Sequence, residues 1–198
     1  MELREGIIVK SQKYQENSKL ITLVNSEGIE TYLVRGASKL KSRNFSYSQE
    51  LTKIGYDAHS SNTSFSILTQ GKVLVNYSSI KTDFSKLNDA LLIIESTNQL
   101  GMHLEDHSTF YQFLNDILQS LNDNHYNPYY LIIFRVKLLY LLGIGPMFSK
   151  CVECGRRDDL VGFDFLKGGM KCTNCDTHTA DYYNQEVIEV LRFLYLTK

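Results

Sequence analysis

All four cysteines of the chain fall in one window, CVECGRRDDLVGFDFLKGGMKCTNC, from Cys151 to Cys175. They form two CxxC pairs, Cys151 with Cys154 and Cys172 with Cys175, separated by 17 residues. Two residues between thiols let a tight turn aim both sulfurs at one ion, and a second such turn completes a tetrahedron. Gly155 follows the first pair and Gly168-Gly169 precedes the second, where the chain must bend back. Between them LVGFDF alternates like a short strand. Two matched pairs are more than a dithiol redox centre needs, and four thiolates leave no open position for a catalytic water. The expectation is one structural zinc per chain, tying a loop too small to have its own core. His178 is read as an ordinary surface residue, because four cysteines already saturate the ion.

The surroundings are those of an ordinary soluble chain of 198 residues, 43% hydrophobic and 22% charged. The start, MELREGIIVK, has no basic region followed by a long apolar run, so no signal peptide is read. The most apolar stretch, Tyr130 to Gly143, contains Arg135 and Lys137 and falls short of the ~20 residues that span a bilayer. It reads as a buried helix, central to its domain. Reduced paired cysteines fit a cytoplasmic protein.

The fold class expected is α+β. Gly6–Tyr14, Leu20–Asn25, Ile29–Gly36, Leu51–Tyr56 and Ser64–Val75 read as five short strands, with Ser26-Glu27-Gly28 as a hairpin turn. Five strands in under eighty residues point to an OB-fold barrel over 1–80, with a small sandwich as the alternative. Near residue 83 the hydrophobic period changes to that of helices. Leu87, Ala90, Leu91 and Ile94 mark one helical face. Phe110, Phe113, Leu114, Ile117, Leu118 and Leu121 mark the next. Asn127 and Pro128 begin a third helix, which Gly143 and Gly145-Pro146 end. Asn184 would cap a last helix carrying Val187, Val190, Leu191 and Leu194. Residues 81–198 are thus expected to form an all-α domain with its zinc element at 151–175.

Charge is unevenly spread. Residues 1–80 carry ten Lys and Arg against seven Asp and Glu, whereas residues 81–198 carry eleven against fifteen. An anionic partner should therefore approach the N-terminal part. There, VRGASKLKSRNFSYSQ carries Arg35, Lys39, Lys41 and Arg43 with no acid. Phe45 and Tyr47 add aromatics that could stack on bases, as in single-strand binding on OB barrels. Lys10, Lys13 and Lys19 could extend the patch. The plain alternative is a solvated, mobile loop. Neither a phosphate-binding glycine motif nor GxSxG occurs. His103 and His107 would share a face in a helix, but a polar helix end explains them equally well. On residues alone the choice stays open between a DNA-binding module, an RNA-binding OB protein with a structural zinc ribbon, and a zinc-containing nucleic-acid enzyme.

Three stretches, in order, resemble the RecO family of bacterial recombination mediators. GIIVKSQKYQENSKLITLVNSEG looks like that family's opening strands, with Val9 where Leu is common. VRGASKLKSR looks like its basic loop, with Ser38 where a basic residue is frequent. LLYLLGIGPMFSKCVECG looks like its helix running into the zinc knuckle. The resemblance implies an OB-fold followed by a helical, zinc-bearing domain. It implies binding of single- and double-stranded DNA, annealing of complementary strands, and help in loading the RecA recombinase onto DNA covered by single-strand-binding protein (SSB). RecR and the acidic SSB tail are the implied partners, with Arg135 and Lys137 as candidates for meeting that tail. No catalytic residues are implied, and the expected place of work is the cytoplasm, at the nucleoid.

Overall fold

The computed structural model describes residues 3–60, 64–123, 125–176 and 185–196. Asn184 and His178 lie outside them. The chain divides into two compact units, Met1–Leu131 and Ile132–Lys198.

The first unit begins with strands β1 (Arg4–Tyr14), β2 (Ser18–Val24), β3 (Ile29–Val34), β4 (Thr52–His59) and β5 (Ser66–Val75), with a single helical turn, α1 (Arg43–Ser46), before β4. They close into a barrel in the order β1-β2-β3-β5-β4. β1 is long enough to pair with both β2 and β4, and a register shift between Ile8 and Lys10 bends it from one to the other. Bulges of this kind let a short sheet curl shut. Closure comes from the parallel pairing of β3 with β5, Tyr32 opposite Ser66 and Leu33 opposite Ile67. The OB-like barrel excludes the sandwich. Its interior holds Ile8, Ile21, Leu23, Val34, Ile54 and Tyr56. At one end Asn25 organises a polar plug. Its side chain accepts from the backbone N–H groups of Glu27 and Gly28, closing the β2–β3 turn, and donates to the Tyr56 hydroxyl at 2.7 Å.

The basic segment is built rather than loose. Ser42 caps α1, its hydroxyl accepting from the Asn44 N–H at 3.2 Å. Tyr47 is only 4% exposed and joins the barrel core. Its ring lies so close to Gly71 of β5 that any side chain there would collide with it. A base-stacking role for Tyr47 is therefore excluded: barrel closure needs the ring as filling.

Helices α2 (Ser78–Thr82), α3 (Phe84–Leu100) and α4 (His107–Asp123) follow in the same unit, with a 3-10 turn at Gly101–His103. Asp83 caps α3 through the N–H groups of Ser85 and Lys86. The α4 face is as expected, with Phe110, Leu114, Ile117, Leu118 and Leu121 buried. The α3 face is turned from the expected one. Lys86, Asp89, Ala90, Ile93, Ile94 and Thr97 are buried, while Leu91 is 46% exposed. Lys86 tolerates burial because its ammonium donates to the Ser79 hydroxyl at 2.9 Å and the Asn122 carbonyl at 3.3 Å. Burying a charged group requires such partners, and hydrophobicity alone does not reveal them. His103 and His107 occupy different elements, so they do not form an i, i+4 helical pair.

Helix α5 (Tyr129–Leu141) starts where expected, with the Asn127 side chain accepting from the Tyr129 N–H at 3.0 Å. It ends at Gly143 (φ +69°) in a left-handed cap, with Ile144 N–H bonded to Leu139 O and Gly143 N–H to Tyr140 O. That pair of bonds is the Schellman motif, and glycine is its natural C′ residue. The expectation of a fully buried helix fails. Only Phe134 and Leu138 are buried, and Ile132, Arg135 and Tyr140 are exposed. A helix that is apolar all round is buried only where neighbours cover every side, and the elements described in this unit do not. They are the hairpin β6 (Leu160–Asp164) with β7 (Gly169–Cys172), and α6 (Gln185–Leu196). Phe148, Phe163, Met170 and Ile188 form this unit's small core, backed by Leu160, Leu191 and Tyr195. The buried side of α6 is therefore Ile188 and its neighbours, while Val187 and Val190 point outward.

Candidate metal centre and nucleic-acid face

The local sequence builds the cysteine cluster in two turns. In the first, Cys151 N–H donates to Arg156 O at 2.7 Å and Gly155 N–H to Cys151 O at 2.9 Å. Gly155 takes φ +75°, which a residue with Cβ rarely adopts. In the second, Cys175 and Asp176 both donate to Cys172 O at 3.0 Å. The hairpin joins them: Val152 N–H bonds Met170 O on β7, and Thr173 N–H bonds Asp159 O ahead of β6. Gly168, at φ +64°, makes the bend between the strands.

All four sulfurs lie within 4.8 Å of one another, and Cys154 and Cys172 approach to 3.6 Å across the two turns. A metal 2.3 Å from each sulfur would demand a tetrahedron about 3.8 Å on edge. The cluster needs only a small contraction to hold an ion. The thiols are free, and among the described residues this is the one His, Cys, Asp or Glu group able to ligate a metal. Burial opposes the Cys151 thiolate, but hydrogen bonds from the backbone of Cys154, Cys172 and Glu153 outweigh it and bring the thiol down to about 6. Hydrogen bonding with Cys154, then burial, pushes Cys175 up to about 12.

Sequence reasoning missed the ion-pair brace behind these turns. Lys171, beside Cys172, is 5% exposed and bonds Asp164 of β6 at 2.9 Å and Glu153 at 3.6 Å. Lys167 also pairs with Glu153. Glu153 sits between the first two cysteines, so the brace ties one turn to the other. Only the folded hairpin brings these residues together.

On the barrel, the expected cations divide by strand parity. Lys13 and Lys19 are directly opposed on β1 and β2, and Lys19 shares a face with the interior residues Ile21 and Leu23. Lys10 lies on the outer face and is exposed. Lys19 is half-buried, 5.0 Å over the Phe45 ring, and burial lowers its pKa. Phe45 is thereby engaged by a cation. Arg35, Lys39, Lys41 and Arg43 are all exposed. Ser38 pins their loop to the β1–β2 turn, its N–H donating to Asn17 O and its hydroxyl to Ser18 O. The Asn44 side chain donates to Arg35 O at 2.8 Å.

Arg135 is exposed, whereas Lys137 donates to Tyr195 O at 3.2 Å and is depressed in pKa by burial. No helix among the described residues is long and apolar enough to cross a membrane.

A closed OB-like barrel followed by helices and a four-cysteine metal knuckle defines a class of two-part chains, one part with a cationic loop and the other with a ligand set for one ion. Within that class the comparisons are specific. The family described as Recombination protein O N terminal matches residues 1–77, and Recombination protein O C terminal matches residues 81–198. A DNA repair protein RecO from Syntrophomonas wolfei is 31% identical over 176 residues, covering 86% of this chain and 68% of its own. One from Listeria monocytogenes serotype 4b is 29% identical over 202 residues, covering 99% and 78%. One from Halalkalibacterium halodurans is 27% identical over 195 residues, covering 96% and 76%. The chain belongs to the RecO family of DNA repair proteins.

Proposed function

We propose that this chain is a non-enzymatic recombination mediator. It binds single- and double-stranded DNA, anneals complementary strands, and helps load RecA on SSB-coated DNA in the cytoplasm, at the nucleoid. The observation that carries this reading is the acid-free cationic loop held against one side of a closed OB-like barrel. Pinning by Ser38 and Asn44 keeps Arg35, Lys39, Lys41 and Arg43 on one continuous turn segment, so their charges act on a passing phosphate backbone without ordering a free loop first. Lys10, Lys13 and Lys19 would supplement that field. Phosphate contacts of this kind position a strand without reading its sequence, as annealing requires.

In this reading residues 1–80 hold DNA, and residues 81–198 meet protein partners, RecR and the SSB tail. Arg135 is the better placed of the two helix cations for an acidic ligand, because Lys137 is already spent on Tyr195 O. The metal is zinc. Four thiolates, the one ligating group among the described residues, suit a closed structural site, where zinc supplies cross-linking and no chemistry. A strand-annealing assay on zinc-loaded protein, with and without SSB, tests the reading. Faster annealing that survives SSB is expected. Annealing at the spontaneous rate in both arms would overturn it.

A further inference from the structure

A second feature of the barrel lies beside the cationic loop. Between the β1–β2 turn and the start of β5 is a cleft of about 530 Å³, a size typical of small-ligand sites. Tyr14 and Phe65 line it, their ring centroids 6.0 Å apart and their planes at 77°. Leu33, Arg35, Asn17 and Ser18 complete the part that matters here. None of the described residues lining it is acidic.

Register explains why these groups meet. Tyr14 is opposite Ser18, and Leu33 is opposite Leu20, all on the face of the sheet turned away from the barrel core. Arg35 continues β3 with the parity of Leu33. The parallel pairing of β3 with β5 then brings Phe65 alongside. Two apolar rings at right angles form a corner. One ring can lie flat on a planar aromatic guest while the other touches its edge, both favoured geometries. Arg35 adds a cation, and Asn17 and Ser18 add donors and acceptors for a heterocycle's polar rim.

We propose that this corner is a base-stacking subsite for single-stranded DNA. The proposal rests on the reading that the barrel binds DNA, and adds to it a reason for strand selectivity. The loop carrying Lys39, Lys41 and Arg43 is tied to the wall of the same cleft through Asn17, Ser18 and Arg35. A backbone held by those cations passes the cleft mouth and can drop an unpaired base into it. Bases in a duplex are already stacked and paired, so they cannot enter without being flipped out. Base–aromatic stacking tolerates any sequence, because every base has a π-face. Single strands are therefore favoured over duplex without base-specific readout.

Two measurements on the full zinc-loaded chain test this. The first compares binding of a thymidine homopolymer and a duplex by the parent, by Tyr14→Leu/Phe65→Leu, and by Lys39→Ala/Lys41→Ala/Arg43→Ala. The aromatic variant should lose on the order of tenfold in single-strand affinity, with duplex affinity and salt slope unchanged. The cation variant should weaken both and flatten both slopes. Equal single-strand and duplex losses in the aromatic variant, or none, would overturn the subsite. The DNA-binding reading would survive that outcome if the cation variant still weakened binding, and would fall with it if neither variant changed anything. The second measurement needs no substitution. A 5-iodouracil oligonucleotide photo-crosslinked to the unaltered chain should attach at Tyr14 or Phe65. Attachment confined to other aromatics would overturn the proposal even if the aromatic variant fails to fold.

Discussion

The barrel and the cysteine-bearing unit are held together differently. The barrel buries a continuous set of large side chains, from Ile8 through Ile21 and Leu23 to Tyr56, most with no exposed surface at all. Its strands close on themselves through the short parallel pairing of β3 with β5. In the second unit, among the described residues, Phe148, Phe163, Met170 and Ile188 pack into one small cluster, while Ile144, Phe165, Leu166 and Phe193 stand in solvent. A core that small does not offset the entropy of ordering its chain. The four thiols stand where further core would be needed. Stability comes from packing in one unit and from ligation in the other, and the two should respond to different perturbations.

The sharpest separation is chemical. Cys172→Ser, or removal of metal by a chelator, should abolish order in β6, β7 and the knuckle, because structural zinc contributes on the order of 10 kcal/mol to such units. The barrel's own unfolding should not change. Metal analysis should find close to one zinc per chain and no disulfide, and a metal-free preparation of full stability would break the comparison at once.

The converse perturbation is Tyr47→Ala, which empties the space the ring fills against Gly71 and should cost the barrel about 3–5 kcal/mol. Gly71→Ala, pushing against the same ring, should cost about 1–3 kcal/mol. Both are read from denaturant melts of the chain, and neither should alter zinc content. A change in metal stoichiometry with either would show that the units are not independently held.

Ligand binding sharpens the contrast further. Lys39→Ala/Lys41→Ala/Arg43→Ala should lower DNA affinity for all sequences alike. The slope of log affinity against log salt should become shallower by about 2–3, since each lost phosphate contact releases fewer counterions. An unchanged slope would place the DNA site away from this loop. The smallest effect belongs to Arg135→Ala, which should leave stability within about 0.5 kcal/mol and weaken only an acidic peptide, in calorimetric titration of the full chain. A peptide that binds the variant as tightly as the parent would remove Arg135 from the partner surface.

Local chemistry was legible in the sequence. The two CxxC pairs, the glycines beside them, the Asn127 cap and the Gly143 stop each act over a few residues, and each is where the sequence puts it. The five strands were readable for the same reason, since alternation is local. What sequence could not supply depends on contacts made at a distance. Lys86 is inside because Ser79 and Asn122 receive its ammonium, and this rotates α3 away from its apparent apolar face. Tyr47 looks like a surface aromatic in a basic loop, but barrel closure puts it against Gly71. Tyr14 and Phe65 are far apart in the chain and become neighbours only when β3 pairs with β5. Helix α5 looks central because its own residues are apolar, yet burial depends on what surrounds it.

Hydrogen exchange of the whole chain, with zinc and after chelation, tests the central contrast most directly. The expected result is undiminished protection across β1, β2, β4 and β5, with loss of protection across Leu160–Cys172 on removing the metal. Protection retained in both regions, or lost in both together, would contradict a barrel held by its core and a knuckle held by its ion.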